Sequence, residues 1–261
     1  MSLAAPAACT ASKGVFDLYA ACYDLLYRDK DYPVEAAYVA ALVREQTPGA
    51  VTVLELGCGT GGHAAELVKL GFEVHGIDLS ARMVAQAHRR AIPGAFFEEG
   101  DVRAHRAGRT FDAVMSLFHV MSYQTAQEDL AGAFGTARAH LVRGGAFVFD
   151  CWYGPAVLSD RPRAVVREVA DDRVAVRRVT TPVMCVNDNV VEVNFDVQID
   201  SRADGRSECV SEVHRMRYLF LPELRALLAE NGFALVKSQR WLSDQVLDDR
   251  SWYACITAVA V

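Results

Sequence analysis

The sequence predicts an α/β protein: a doubly wound, seven-stranded, mostly parallel sheet interrupted by an inserted antiparallel β subdomain. Three observations carry this expectation. From Val51 to Asp150, apolar runs of strand length alternate with segments of helical period, a pattern that buries a parallel sheet between two helical layers. The first of these runs ends in a glycine-rich turn, Gly57 to Gly62, which opens a helix. After Asp150 the apolar period shortens to two over long β-branched stretches, and helical period returns only near Pro222.

In chain order, Leu18 to Tyr27 and Val34 to Glu45 carry apolar residues at helical spacing, with Pro33 suited to a first helical turn. Strand Val51 to Leu56, helix Gly62 to Leu70, strand Glu73 to Ile77, helix Ser80 to Arg90 and strand Ala95 to Glu98 follow. Ser80 is an expected N-cap, because its hydroxyl can accept from an orphan amide of the helix it opens. Strand Phe111 to Ser116, helix Ala126 to Leu141 and strand Ala146 to Asp150 complete the alternation.

The next four runs, Arg163 to Val169, Arg173 to Val183, Asn189 to Asp200 and Glu208 to Phe220, read as an antiparallel meander. Val191, Val193, Phe195, Val197 and Ile199 mark one face of the third, and Asp171-Asp172, Asn187-Asp188 and Asp204-Gly205 mark the turns. Helix Pro222 to Asn231, closed by Gly232, and strands Phe233 to Trp241 and Trp252 to Val261 end the chain. The expected organisation is a tail and helical lid over 1–49, a sheet domain over 50–155 and 219–261, and the insertion over 156–218.

Composition narrows the partners. Of 261 residues, 52% are hydrophobic and 23% charged, enough to bury a full globular core. A net charge of −6 and the absence of a lysine-arginine cluster give no field for nucleic acid, so a small molecule is the expected substrate. No apolar stretch approaches the ~20 residues of a membrane helix. The seven cysteines are widely spaced, odd in number and form no C-x-x-C pair, so neither a disulfide framework nor a metal site is expected, and the cytoplasm is the natural compartment.

The glycine turn admits two ligand classes. Gly57, Gly59 and Gly62 satisfy a dinucleotide fingerprint, whereas Gly57, Gly59 and Gly61 satisfy the shorter pattern of S-adenosylmethionine (SAM) binders. Glu55 favours the second: a strand-end carboxylate two residues before the turn would oppose a pyrophosphate by up to about 4 kcal/mol at close range. SAM instead brings a sulfonium and an α-ammonium. Asp78, at the next strand end, sits where an acid grips a ribose diol, and Asp101, at the third, could accept from an adenine amino group while Val102 packs on the ring.

On Glu55 to Gly61, Asp78 and Gly100-Asp101, extended by the Phe111 to Ser116 strand and the Leu141 to Asp150 turn, the chain resembles the class I SAM-dependent methyltransferases, whose sheet is Rossmann-like. Its outer features, Tyr23-Asp24, Lys30-Asp31-Tyr32, Trp152-Tyr153, His214-Arg215 and the insertion itself, resemble more narrowly the sugar-nucleotide N-methyltransferases that dimethylate amino sugars. That resemblance implies Tyr23, Tyr32, Glu55, Asp78 and Asp101 as cofactor contacts. Gly57, Cys58, Gly59, Leu79, Met83, Val102, Leu117 and Phe118 complete the expected cofactor wall, with Cys58 read as a small turn residue rather than a catalytic thiol.

The segment after the fourth strand should lie nearest the departing methyl group. His119 there could take a proton, and Tyr123 could orient the nucleophile; the resembling enzymes place a histidine where this chain has Tyr123, which leaves the proton acceptor open between them. Tyr19, Trp152, Tyr153, His214, Arg215 and Arg217 are the expected acceptor-side residues. Tyr19, Tyr23 and Tyr27 share a helical face that could equally be core. His214 and Met216 share one face of the last inserted strand and Arg215 and Arg217 the other; paired arginines suit a diphosphate or form a surface charge ladder. The expected activity is methyl transfer from SAM to a nucleotide-linked amino- or hydroxy-sugar. The rivals are a methyltransferase for an amino acid or polyketide, a non-catalytic SAM-binding scaffold that dimerises through the insertion, and a dinucleotide oxidoreductase.

Overall fold

A computed structural model of the chain describes Thr10–Ala11 and residues 20–261. Seven strands form the central sheet in the order β4-β3-β2-β5-β6-β12-β11. These are β2 (Thr52–Leu56), β3 (Glu73–Asp78), β4 (Ala95–Glu99), β5 (Phe111–Ser116), β6 (Leu141–Tyr153), β11 (Phe233–Arg240) and β12 (Tyr253–Ala260). Neighbours from β4 to β6 pair in parallel, and only β12 runs against the rest. The chain order reverses between β2 and β5, the crevice at which a doubly wound sheet receives its ligand.

Helices cover both faces. One core joins Leu54, Leu56, Phe134, Phe147, Phe149 and Leu228 beneath α5 (Gln127–Ala139) and α7 (Leu221–Glu230). The other joins Val39, Val43, Val53, Leu67 and Phe97 beneath α2 (Tyr32–Gln46), α3 (Gly62–Lys69) and α4 (Ala81–Arg89). Helix starts follow the expected chemistry. Asp31 accepts from the Val34 amide ahead of Pro33, and Ser80 Oγ accepts from Met83 N at 3.3 Å. The first helix, α1 (Ala20–Leu26), buries Cys22, Tyr23 and Leu26 against the inserted strands, whose Val169, Val176 and Val197 share its cluster.

The insertion is an antiparallel meander of β7 (Val165–Ala170), β8 (Val174–Cys185), β9 (Val190–Ser201) and β10 (Ser207–Leu219). Its first turn is set by Asp171, whose Oδ1 accepts from the amides of Arg173 and Val174, both at 2.8 Å. The two sheets are continuous. At Trp152, β12 holds one edge of β6 and Tyr218 of β10 the other, so the meander grows from the carboxyl end of β6 beyond the reach of β5. It therefore stands over the ligand crevice. The short strand β1 (Thr10–Ala11) pairs in parallel with Val210–Ser211 of β10.

Three sequence expectations change. β6 begins at Leu141, ahead of the Gly144 kink, because Leu141 already pairs with Phe111; the expected helix ends at Ala139 instead. A short helix, α6 (Gly154–Ser159), follows β6 where none was expected. Cys209 is disulfide-bonded, whereas Cys22, Cys58, Cys151, Cys185 and Cys255 are free thiols. No other cysteine lies near Cys209 in the chain, so spacing carried no sign of that bond. No helix among the described residues is long and apolar enough to cross a membrane.

Candidate active site

A cavity of about 740 Å³ opens over the carboxyl ends of the parallel strands. Its floor is the glycine turn with Asp78 and Asp101, one wall is Leu117 to Tyr123, and its roof comes from Tyr23, Tyr27 and Tyr32 and from Arg178, Phe195, His214 and Met216 of the meander.

The turn is built for close approach. Gly59 holds φ +54 with open space where a Cβ would stand, and its amide donates to Asp78 Oδ2 at 2.9 Å. Asp78 Oδ1 accepts from Ser80 N at 2.9 Å, so the carboxylate is fixed while each oxygen keeps a lone pair for a diol. Burial nonetheless pushes the Asp78 carboxyl above its usual range. At Gly62 a Cβ would stand 2.5 Å from Tyr32 Cε1, so a bare backbone lets the α2 aromatic lie directly on the turn.

Beneath the turn, Glu55 is 1% exposed and its Oε2 has no hydrogen-bond partner. The nearest basic atom, His63 Nδ1, stands 3.7 Å from Oε1. Burial, then the Asp78 charge, push the carboxyl up from 4.5 to about 8. An orphaned buried acid of this kind fits a cationic ligand and opposes a phosphate. The SAM groups a carboxylate can favour are the α-ammonium and the sulfonium, so the donor set suits that cofactor.

The lid is tied to this floor. Glu35 accepts from Lys30 and meets His63 Nε2 at 2.8 Å; Lys30 in turn lies 4.2 Å over the Phe118 ring. Asp24 takes Thr60 Oγ1 at 2.6 Å and Arg90 at 2.7 Å. Asp101 lines the cavity, its carboxyl held below the usual range by the Arg103 fork, and Arg103 also reaches Asp129 at 3.0 Å.

After β5 the backbone is strained: Phe118 and His119 adopt φ of 65° and 66°, left-handed values that cost roughly 1–3 kcal/mol for each side-chain-bearing residue. Asp150, at the buried carboxyl end of β6, holds this conformation. Its oxygens accept from His119 N at 3.1 and 3.2 Å, and Oδ2 lies 2.5 Å from His119 Nδ1, close but off the ring's hydrogen-bonding direction. Burial works to raise Asp150, but the His119 ring and amide outweigh it and keep the acid below its usual range. The His119 ring stacks on Tyr253 with centroids 4.5 Å apart and planes at 19°.

The 3-10 turn Val120–Tyr123 then aims Tyr123 at the meander. Its hydroxyl lies 2.8 Å from His214 Nδ1, and His214 Nε2 lies 3.0 Å from Glu212 Oε2; His214 and Glu212 are buried, and the half-buried Tyr123 lines the cavity. A carboxylate on Nε2 selects the tautomer with Nε2–H, leaving Nδ1 to accept from the phenol. The Tyr123 oxygen is thereby an acceptor toward the cavity.

Of the sequence-expected residues, Tyr23, Tyr32, Gly57, Cys58, Gly59, Asp78, Leu79, Met83, Asp101, Val102, Leu117, Phe118, His119, Tyr123, Trp152 and His214 line the cavity. Four do not. Glu55 lies behind the turn rather than in the wall. Tyr153 is a buried member of the α5-side core. Arg215 sits on the outer face of β10, 3.4 Å from Glu192, and Arg217 ion-pairs with Glu223 of α7 and reaches Thr125 O. Period-two alternation sends both arginines away once His214 and Met216 face inward. Tyr19 lies outside the described residues. The sequence reading missed Asp150, Tyr253, Arg178 and Phe195. Asp150 was findable as an acid ending an otherwise apolar strand.

Fold and site together define a class I SAM-dependent methyltransferase. The family profile described as a methyltransferase domain matches residues 53–145. A dTDP-3-amino-3,4,6-trideoxy-alpha-D-glucopyranose N,N-dimethyltransferase of Streptomyces venezuelae is 38% identical over 183 residues, 69% of this chain and 76% of its own. A sugar N-methyltransferase from Streptoalloteichus superposes with a TM-score of 0.81 at 26% identity, covering 100% of this chain and 98% of that one. A SAM-bound amino pentose methyltransferase from Micromonospora echinaspora gives 0.73 at 26% identity, covering 96% and 99%. The chain belongs to the SAM-dependent methyltransferase family that includes these sugar N-methyltransferases, and SAM is its cofactor.

Proposed function

We propose that the chain methylates the amino group of a nucleotide-linked amino sugar. The observation that carries this reading is one continuous cavity whose floor suits SAM and whose far half, between His119, Tyr123 and the meander, offers aromatic walls, the oriented Tyr123 oxygen and the His119 imidazole. The relatives named above act on amino sugars, and an acceptor of that chemistry suits the far half.

SAM supplies an electrophilic methyl carbon bonded to a sulfonium leaving group. Glu55, from behind the turn, would favour the cationic methionine end, Asp78 would hold the ribose diol, and Asp101 with Val102 the adenine, while Tyr23, Tyr32, Leu117 and Phe118 would close the pocket against water. An acceptor's neutral amine would take that methyl, the cofactor would leave as a neutral thioether, and the resulting ammonium would shed one proton. Tyr123 O accepts one amine N–H and fixes the lone pair toward the carbon. His119 Nδ1 is the ring nitrogen beside Asp150, which leaves Nε2 to take the proton; Asp150 is a positioning residue that holds the strained backbone through the His119 amide. Trp152 and Phe195 offer apolar surface to the sugar.

Turnover against a panel of nucleotide-linked amino and hydroxy sugars tests the reading. Methylated product from an amino sugar, with none from its hydroxyl analogue, is expected. Turnover of amino acids or polyketides but of no sugar would reject it.

A further inference from the structure

We propose that His75, Glu98 and His105 form a binding site for one divalent transition-metal ion of the zinc class, at the outer edge of the sheet and separate from the methyl-transfer cavity. None of the three lines that cavity. His75 on β3 pairs with Phe96 on β4, so Glu98, two residues on, shares its face of the sheet, and His105 folds back over them from the segment after β4.

Ligand atoms of all three lie within 4.8 Å of one another. His75 Nε2 is 2.7 Å and His105 Nε2 3.3 Å from the same oxygen, Glu98 Oε1. His105 Nε2 is nonetheless buried without a hydrogen bond, a polar atom directed into the cluster with no aligned partner.

The imidazoles are held by their surroundings. His75 packs edge-on against Phe96 and Phe111, at 4.9 and 5.6 Å. His105 lies parallel to His140 at 5.9 Å, and a Cβ on Gly100 would stand 2.8 Å from His105 Nδ1, so that glycine leaves the ring its place. His140 is committed elsewhere. Its Nδ1 donates to Thr136 O and its Nε2 accepts from Ala107 N, both at 2.8 Å, which anchors the segment carrying His105.

Two imidazoles and a carboxylate suit zinc rather than calcium or magnesium, which prefer oxygen throughout. Metal–ligand distances near 2.0–2.1 Å place tetrahedral ligands about 3.3 Å apart. His105 and Glu98 already have that spacing, and the His75–Glu98 pair reaches it by opening about 0.6 Å. Glu98 is 38% exposed on its side chain, which gives an ion its entry and water the fourth position. Bound there, the ion clamps the edge strand β4 and the start of the Asp101–Val102 segment to β3. The histidines come from separate elements, so no spacing motif announced them.

The test is calorimetric titration of the metal-free full chain with zinc chloride, with melting temperature as a second readout, for the wild type, His75→Gln, His105→Gln and Glu98→Gln. One site per chain, at least a hundredfold weaker binding in each variant and a zinc-dependent rise in Tm confined to the wild type are expected. SAM affinity within twofold of wild type certifies that a variant is folded, and Glu98→Gln, at a part-exposed position, serves if a histidine variant is not. A wild type that takes up no stoichiometric zinc, or a folded variant that binds it as tightly as the wild type, overturns the proposal and leaves Glu98 as a hydrogen-bonding partner of two imidazoles.

Discussion

Glu55→Gln should stabilise the SAM-free protein and weaken its hold on SAM, a pairing that separates a binding acid from a structural one. The folded carboxyl titrates near 8 and its ordinary value is 4.5. At pH 7 the unfolded chain has released this proton and the folded chain keeps it over about 2.5 pH units, and at about 1.4 kcal/mol each the folded state forfeits about 3 kcal/mol. The sign follows from the raised pKa: the group's contribution is intact below 4.5 and is lost progressively as pH rises to about 8. A neutral amide of the same shape removes that loss. Stabilisation of about 1–3 kcal/mol is expected at pH 7–8, a Tm gain of about 3–10 °C by calorimetry. SAM affinity should fall more than tenfold, about 1.4 kcal/mol. In the wild type, affinity should climb between pH 6 and 8 as the carboxylate forms; in the variant that climb should vanish. A variant that is less stable than wild type, or binds SAM within twofold of it, would show that Glu55 is not a buried acid kept for the cofactor's cation.

Other variants probe the remaining parts. His119→Asn should lower kcat about a hundredfold or more while leaving the KM for SAM within twofold, measured by single-turnover methyl transfer, because the loss falls on proton removal and not on the cofactor. Tyr123→Phe should lower kcat about tenfold and destabilise the fold by about 1–3 kcal/mol in urea titration, since His214 Nδ1 loses its donor. Gly62→Ala should displace Tyr32 from the glycine turn and weaken SAM binding at least fivefold by calorimetry, with Tm lowered by only a few degrees. Asp78→Ala should cost more than tenfold in SAM affinity with adenosine binding lost in parallel.

Much of this site could be read before any coordinates. A glycine turn after an apolar run, and acids at Asp78 and Asp101, are local patterns, and strand ends of one parallel sheet bring them together without further information. What escaped reading depends on choices that local sequence does not encode. Alternation in β10 separates His214 and Met216 from Arg215 and Arg217, but which set faces the crevice is decided by how the meander leaves β6 at Trp152. Tyr153 follows Trp152 in the same strand and so points to the opposite, core side. Glu55 was correctly marked by its position, yet its depth behind the turn, and with it the shifted titration, comes from packing alone. The His119–Asp150 contact joins the loop after β5 to a residue of the neighbouring strand β6 and needs the left-handed backbone at 118–119, which side-chain-bearing residues rarely adopt and no pattern forecasts.

The most direct measurement is a crystal structure of the chain with S-adenosylhomocysteine and a nucleotide-linked amino sugar. The α-ammonium is expected on the Glu55 side of the turn, the ribose diol on Asp78, and the sugar nitrogen about 3–3.5 Å from the vacated methyl position, against His119 and Tyr123. Phosphates in the glycine turn, or a sugar seated on the outer face beside Arg215, would contradict that placement.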